Sequence, residues 1–154
     1  MERRNAWLSY TEAEEKELEQ VAKAYRNFLN VGKTERECVT QIIREARAAG
    51  YESLEEKTAK GEKLKAGDKV YTVGMKKIIA LFHIGQDDIS EGMNILGAHI
   101  DSPRLDVKQN PLYEDTDLAY LDTHYYGGIK KYQWAAIPLA LHGVIAKKDG
   151  TVVN

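Results

Sequence analysis

The sequence predicts a mixed α/β fold, and two observations carry that prediction. Residues 11–50 contain two amphipathic segments, each with a helix-start signal, and most of the remainder consists of β-rich runs separated by turn signals. Helices followed by strands are typical of the α/β and α+β classes. At 154 residues, the chain has the size of one ordinary domain and can bury a core.

Two helices are predicted near the amino terminus. The first covers about 11–30, because Thr11 and Glu14 have the spacing of a capping box that satisfies free amides of the first turn. The second begins in the same way at Thr34 and should end at Gly50, which suits a left-handed cap. The apolar residues of the first helix recur at helical spacing: Leu18, Val21, Ala22, Tyr25, Phe28 and Leu29.

The rest of the chain is predicted to be largely extended. Residues 55–69 are rich in Lys, Glu and Gly, which indicates a solvated connection. Residues 70–73 and 77–84 are β-rich and should form a hairpin. The following strand is predicted over 93–101. It should end there because Pro103 disfavours continuation as a central strand. Later segments also look extended: 105–108, 118–126 and 134–147.

Composition narrows the possible functions. The formal charge is −2, with 22 basic and 24 acidic residues interspersed, which argues against a nucleic-acid or membrane partner. Cys38 is the only cysteine, so no intrachain disulfide can form and a reducing compartment is expected. The amino terminus leads into no apolar signal core, and no apolar run is long enough to cross a bilayer. These features predict a soluble, cytoplasmic protein.

His99 and Asp101 form the most informative pair in the sequence. On a strand their side chains would share one face while Ile100 enters the core. A neutral imidazole binds zinc through one ring nitrogen, and a carboxylate at the other nitrogen orients the ring. His-x-Asp alone is a weak pattern, because a lone histidine at a strand end more often has a structural role. Asp101 could likewise be a strand-end cap that accepts backbone amides.

Several longer motifs resemble one family. They lie in the same order as in the M18 family of zinc aminopeptidases, in the bacterial branch related to aspartyl aminopeptidase, and the likeness extends from about Phe28 to the end of the chain. The motifs are GKTEREC at 32–38, GAHIDSPRLD at 97–106, NPLYE at 110–114, THYYGGIKKYQW at 123–134 and PLALHG at 138–143.

The resemblance implies a particular domain organisation. Residues 1–126 would be the amino-terminal part of an α/β/α zinc-peptidase catalytic domain with two amino-terminal helices, and that domain would be incomplete. Residues 127–154 would be the start of an inserted β-rich dimerisation domain. Enzymes of this family are considerably longer, so the resemblance also suggests that the chain is an amino-terminal fragment.

The resemblance also implies roles at the active site. M18 sites are similar to two-zinc aminopeptidases, in which the ions hold a bridging water and polarise the scissile carbonyl. His99 would bind one zinc, and Asp101 would serve catalysis by holding His99. The other ligands would lie beyond Asn154, so these residues alone should bind zinc poorly and hydrolyse nothing. Cobalt or manganese could replace zinc.

Two further residues are candidates for a substrate or interface role. His124 could line a substrate cleft or lie at an interface edge. Tyr132 stands near the position from which some family members lend a histidine to the neighbouring subunit's site. It could donate a hydrogen bond to the substrate carbonyl, or pack at an interface beside Trp134.

The function implied by the resemblance is metal-dependent removal of amino-terminal residues from peptides, by a homo-oligomer assembled through the inserted domain. Such a piece should expose apolar surface and self-associate. One alternative is a naturally short, non-catalytic assembly module derived from such an enzyme. Another is a different co-catalytic metallopeptidase or a metal-dependent deacylase, since these share His-x-Asp. The 123–134 motif favours M18.

Overall fold

The computed structural model describes residues 5–154. These residues form two compact units, of which the first ends at Gly97 and the second is Ala98–Asn154. Both units contain strands, and the longer helices belong to the first. The predicted mixture of helices and strands is confirmed. The predicted domain boundary between residues 126 and 127 stays a prediction.

The two amino-terminal helices form as predicted. Helix α1 is Glu12–Val31 and helix α2 is Glu35–Ala48. Each begins with a complete capping box, with Thr11 and Glu14 at α1 and Thr34 at α2. Gly50, just beyond the end of α2, has φ +85°, a conformation that glycine adopts without the strain a side chain would cause.

A three-stranded sheet completes the first unit. Strand β1 is Glu52–Ser53, β2 is Lys69–Gly74 and β3 is Ile78–His83. β2 lies between the other two, parallel to β1 and antiparallel to β3. The predicted β2–β3 hairpin is therefore confirmed. Its tip consists of Met75 and Lys76, both with positive φ (49° and 58°), which suits the twist of a tight hairpin.

Part of the predicted solvated connection at 55–69 is helical. Helix α3 is Leu54–Ala59, and the Ser53 hydroxyl caps it by accepting a hydrogen bond from the Glu56 amide. The Lys57 ammonium lies 3.0 Å from Glu52 and 3.2 Å from Glu62, and its side chain is only 13% exposed. Capping and charge pairing thus stabilise a helix whose composition resembles that of a loop.

The buried core is small and lies between α2 and β2. Its apolar members are Cys38, Val39, Ala46, Val70 and Tyr71. Arg47 follows on α2, and its Nε donates a 2.9 Å hydrogen bond to the Tyr71 hydroxyl, which satisfies a polar group at the edge of this core. Helix α1 contributes no buried residue.

The second unit is dominated by a long hairpin. Strand β4 is Arg104–Asp115 and β5 is Leu118–Tyr126, paired antiparallel through a turn at Thr116 and Asp117. The register shifts between Val107 and Leu112, where β4 contains extra residues. Helix α4 (Lys131–Trp134) follows, and strands β6 (Ile145–Ala146) and β7 (Val152–Val153) form a short antiparallel pair.

Two strand predictions are wrong. Within the described residues, 93–101 contains no strand; a 3-10 helix at Ile89–Glu91 precedes an irregular segment that continues to Pro103. Of 134–147, only Ile145–Ala146 is a strand. A strand needs a neighbouring strand for its backbone hydrogen bonds, and alternation in sequence does not supply one. None of the helices in residues 5–154 combines the length and apolarity needed to cross a membrane.

Candidate functional site

His99 projects from the irregular segment into solvent. Its side chain is 84% exposed. Ring nitrogen Nδ1 lies 3.0 Å from the backbone carbonyl oxygen of Asp101 and 3.2 Å from the Asp101 Oδ1 atom. Both neighbours are acceptors, so the favoured tautomer carries its proton on Nδ1. The lone pair on Nε2 is then available to a metal ion.

The carboxylate of Asp101 joins two side chains. Its Oδ1 faces His99, and its Oδ2 accepts a 2.7 Å hydrogen bond from the Tyr126 hydroxyl. The Tyr126 hydrogen bond, followed by one from the backbone amide of Asp101 itself and a smaller effect of His99, lowers the pKa of Asp101 below its ordinary value. Asp101 is therefore ionised at neutral pH and can stabilise a proton on His99 Nδ1.

Tyr126 lies at the end of β5, opposite Arg104 of β4. The Arg104 guanidinium lies 4.2 Å from the centroid of the Tyr126 ring, which is cation–π geometry. The Nε of Arg104 also donates a 2.7 Å hydrogen bond to Asp106 Oδ1. The Arg104–Asp106 contact joins residues two positions apart, whereas no sequence pattern indicates a role for Tyr126. The hydroxyl contact joins residues 25 positions apart, so no local pattern reveals it.

The residue that follows β5 lies close to the segment that carries His99 and Asp101. Gly127 follows Tyr126 with φ +71°. A Cβ at this glycine would lie 3.4 Å from Pro103 Cγ, in contact with the loop that follows Asp101. The glycine therefore combines a left-handed conformation with a close approach to the segment that carries the site.

His124 and Tyr132 lie outside this network. His124 is on β5 opposite Asp106, and its Nδ1 lies 3.4 Å from the Tyr125 carbonyl oxygen. Tyr132 is on α4 and is 77% exposed. Among the residues described, no hydrogen bond joins either side chain to His99 or Asp101. Their substrate or interface roles stay predictions.

The chemistry of the donors suits one ligand of a zinc site. Zinc in proteins generally takes three or four side-chain ligands, and a histidine ligand commonly donates a hydrogen bond from the N–H of its other ring nitrogen to a carboxylate or carbonyl oxygen. His99 has that arrangement. Nowhere in residues 5–154 do three or more His, Cys, Asp or Glu side chains cluster so as to hold a metal ion. The described residues therefore present a candidate ligand rather than a complete site.

Comparison with known proteins identifies a set of similar sequences. The profile of the family described as aminopeptidase I zinc metalloprotease (M18) matches residues 28–154. A probable M18 family aminopeptidase 1 of Clostridium acetobutylicum is 58% identical over 153 residues, covering 99% of this chain and 33% of that protein. A protein of the same description from Thermotoga maritima is 45% identical over 158 residues, covering the whole chain and 32% of that protein.

Solved structures give the same result. Aminopeptidase I from Borrelia burgdorferi superposes with a TM-score of 0.89 at 38% identity, covering 97% of this chain and 36% of that one. Aminopeptidase I from Clostridium acetobutylicum gives a TM-score of 0.83 at 58% identity, covering 100% of this chain and 34% of that one. The chain spans about a third of the length of these relatives.

Proposed function

Because the chain belongs to the aminopeptidase I zinc metalloprotease (M18) family, we propose that its residues take part in a zinc aminopeptidase that removes single residues from the amino termini of peptides. The relatives described as aminopeptidases support this activity. The single observation that carries it to particular residues is the contact between His99 Nδ1 and Asp101.

In this proposal His99 is a metal ligand through Nε2. Asp101 acts through His99, so it is a positioning residue rather than one that touches the reacting atoms. Exposure of the imidazole supports this assignment, because a ligand must reach a cation that other segments also contact. The remaining ligands would come from the part of the relatives' length that this chain does not cover.

The proposed metal is zinc, as two ions in the complete enzyme, with cobalt or manganese as substitutes. When bound, such ions supply an activated water and a polarised peptide carbonyl. The contribution of this chain is to fix the orientation and tautomer of one ligand. Without the other ligands, residues 1–154 should bind zinc weakly and show no peptidase activity.

Substrate and partner assignments belong to the same proposal. Peptides are the substrates, and the working form is a cytoplasmic homo-oligomer joined through an inserted domain that begins near residue 127. His124 and Tyr132 are proposed to face substrate or a neighbouring subunit. Their support is position and exposure: both follow the site in sequence, and both are open to solvent.

A chimeric enzyme tests the proposal. This chain would replace the matching third of the Clostridium acetobutylicum relative, whose 58% identity favours a folded product. The chimera should release amino-terminal residues from aminoacyl reporter substrates. His99→Ala should lower kcat/KM by about 100-fold or more and reduce bound zinc, because a direct ligand is lost. The control is His83→Ala, which removes an exposed histidine of β3.

Two outcomes would contradict the proposal. If His99→Ala retained full activity and zinc content, the ligand assignment would be wrong. If the chimera folded and assembled but hydrolysed no substrate, the assembly-module alternative would be the better account of these residues. Unchanged activity in His83→Ala shows that the effect belongs to His99 and not to histidine loss in general.

A further inference from the structure

We propose that Tyr126 is a positioning residue for His99, acting through Asp101. The inference rests on the proposed function, in which His99 Nε2 meets the metal. Its geometric basis is a carboxylate that uses its two oxygens for two partners. Oδ2 accepts the Tyr126 hydroxyl at 2.7 Å, and Oδ1 faces His99 Nδ1 at 3.2 Å.

Asp101 needs such an anchor because of where it lies. It belongs to an irregular segment, so no strand pairing restrains its backbone, and its side chain is 37% exposed. An unrestrained carboxylate there can rotate away from the imidazole. A hydrogen bond to one oxygen fixes the plane of the carboxylate and leaves the other oxygen directed at His99.

Tyr126 can serve as the anchor because it is itself held. It is the last residue of β5 and pairs with Arg104 across the hairpin. The Arg104 guanidinium lies 4.2 Å from the ring centroid and also binds Asp106, with 2.7 Å between Arg104 Nε and Asp106 Oδ1. The paired strands β4 and β5 thereby fix the position of the Tyr126 hydroxyl, and this hydroxyl holds Asp101 in the segment that carries His99.

The consequence is a bias in the tautomer of His99. The Asp101 carbonyl oxygen, 3.0 Å from Nδ1, already favours a proton there. A charged carboxylate held at the same nitrogen adds a stronger acceptor. Loss of the Tyr126 hydroxyl should weaken the contact between the Asp101 carboxylate and Nδ1, while the contact between the Asp101 backbone carbonyl and Nδ1 remains. The fraction of His99 with Nε2 free for a metal should then fall.

The experiment measures this bias without any metal. Long-range ¹H–¹⁵N NMR of the 154-residue chain, at a pH about two units above the ordinary histidine pKa of ~6.5, reports the ratio of Nδ1–H to Nε2–H tautomers of His99. Tyr126→Phe keeps the ring beneath the guanidinium and removes one hydroxyl. The ratio should fall about twofold to tenfold, the range that one hydrogen bond provides. Tyr120→Phe, which removes a hydroxyl from the same strand, should leave it unchanged.

A double-mutant cycle separates positioning from a general effect on the fold. Asp101→Ala should lower the ratio, and adding Tyr126→Phe to it should change nothing more, because the hydroxyl then has no carboxylate to hold. Equal ratios in Tyr126→Phe and the unaltered chain would overturn the inference. So would an equal further fall in the Asp101→Ala background. Because the readout needs no zinc, it can succeed or fail independently of the chimera experiment.

Discussion

Replacing Val70 with alanine should destabilise the first unit more than any exposed valine replacement does. Val70 is 1% exposed and lies on β2, the central strand of the three-stranded sheet. The buried apolar set is small and comprises five side chains in the described part of the chain. A small core has little capacity to compensate for a lost side chain.

The magnitude follows from the atoms removed. Val→Ala deletes two buried carbons, each contributing about 0.8 kcal/mol of transfer free energy. The cavity left behind adds a similar amount if the sheet and α2 do not collapse into it, which brings the expected loss to about 2 to 3 kcal/mol. Typical domains have unfolding free energies of about 5 to 15 kcal/mol. The substitution therefore removes a large share of the stability.

Urea unfolding followed by far-ultraviolet circular dichroism measures this loss, because α1, α2 and α3 all belong to the first unit. The midpoint should fall by about 1 to 2 M urea. The matched control is Val21→Ala on α1, where the side chain is 65% exposed and the change should stay within about 0.5 kcal/mol. If Val70→Ala lowered the free energy of unfolding no more than this control does, the assignment of the core to α2 and β2 would be wrong.

Three further predictions concern the helices. Thr34→Ala should cost about 1 kcal/mol in urea unfolding by removing the side-chain cap of α2, and Thr34→Ser should recover most of it; equal losses in both variants would contradict the capping role. Gly50→Ala should cost about 1 kcal/mol through backbone strain alone, because φ is +85° and a Cβ there meets no atom within 4 Å. Hydrogen bonds from the backbone amide and the hydroxyl of Thr11 lower the pKa of Glu14 from its ordinary 4.5. The Glu14 carboxylate therefore stabilises the folded state fully above that pH, and this stabilisation is lost as the pH falls through the lower pKa of the folded state. The urea midpoint followed by circular dichroism should therefore fall as the pH is lowered through that range, and Glu14→Gln should weaken this pH dependence; the same pH dependence in Glu14→Gln as in the unaltered chain would refute the linkage.

The parts of the fold that the sequence predicts correctly depend on local interactions. The capping boxes at Thr11 and Thr34 involve residues three apart, so their signals are complete within one helical turn. The β2–β3 hairpin is equally local. Helix α3 carries the same kind of signal, with Ser53 three residues before Glu56, but the Lys- and Glu-rich composition around it favoured a loop.

The errors occur where distant parts of the chain decide the structure. Residues 93–101 have the composition of a strand, yet no described strand pairs with them. The proximity of His99 and Asp101 was expected from strand alternation and is seen in an irregular segment, because two residues so close in sequence can meet without a sheet. Tyr126 reaches Asp101 only once β5 has paired with β4. Metal binding by His99 stays a prediction.

The two hairpin tips leave room for engineering. Met75 and Lys76 at one tip, and Thr116 and Asp117 at the other, hold left-handed backbone conformations that asparagine and glycine tolerate better. Asn-Gly at either tip would preserve the main-chain path. At the first tip this keeps the backbone carbonyl of position 75, which accepts a 3.3 Å hydrogen bond from Arg36. A search for a more heat-resistant version of this protein would begin at these four positions, where conformational relief requires no repacking.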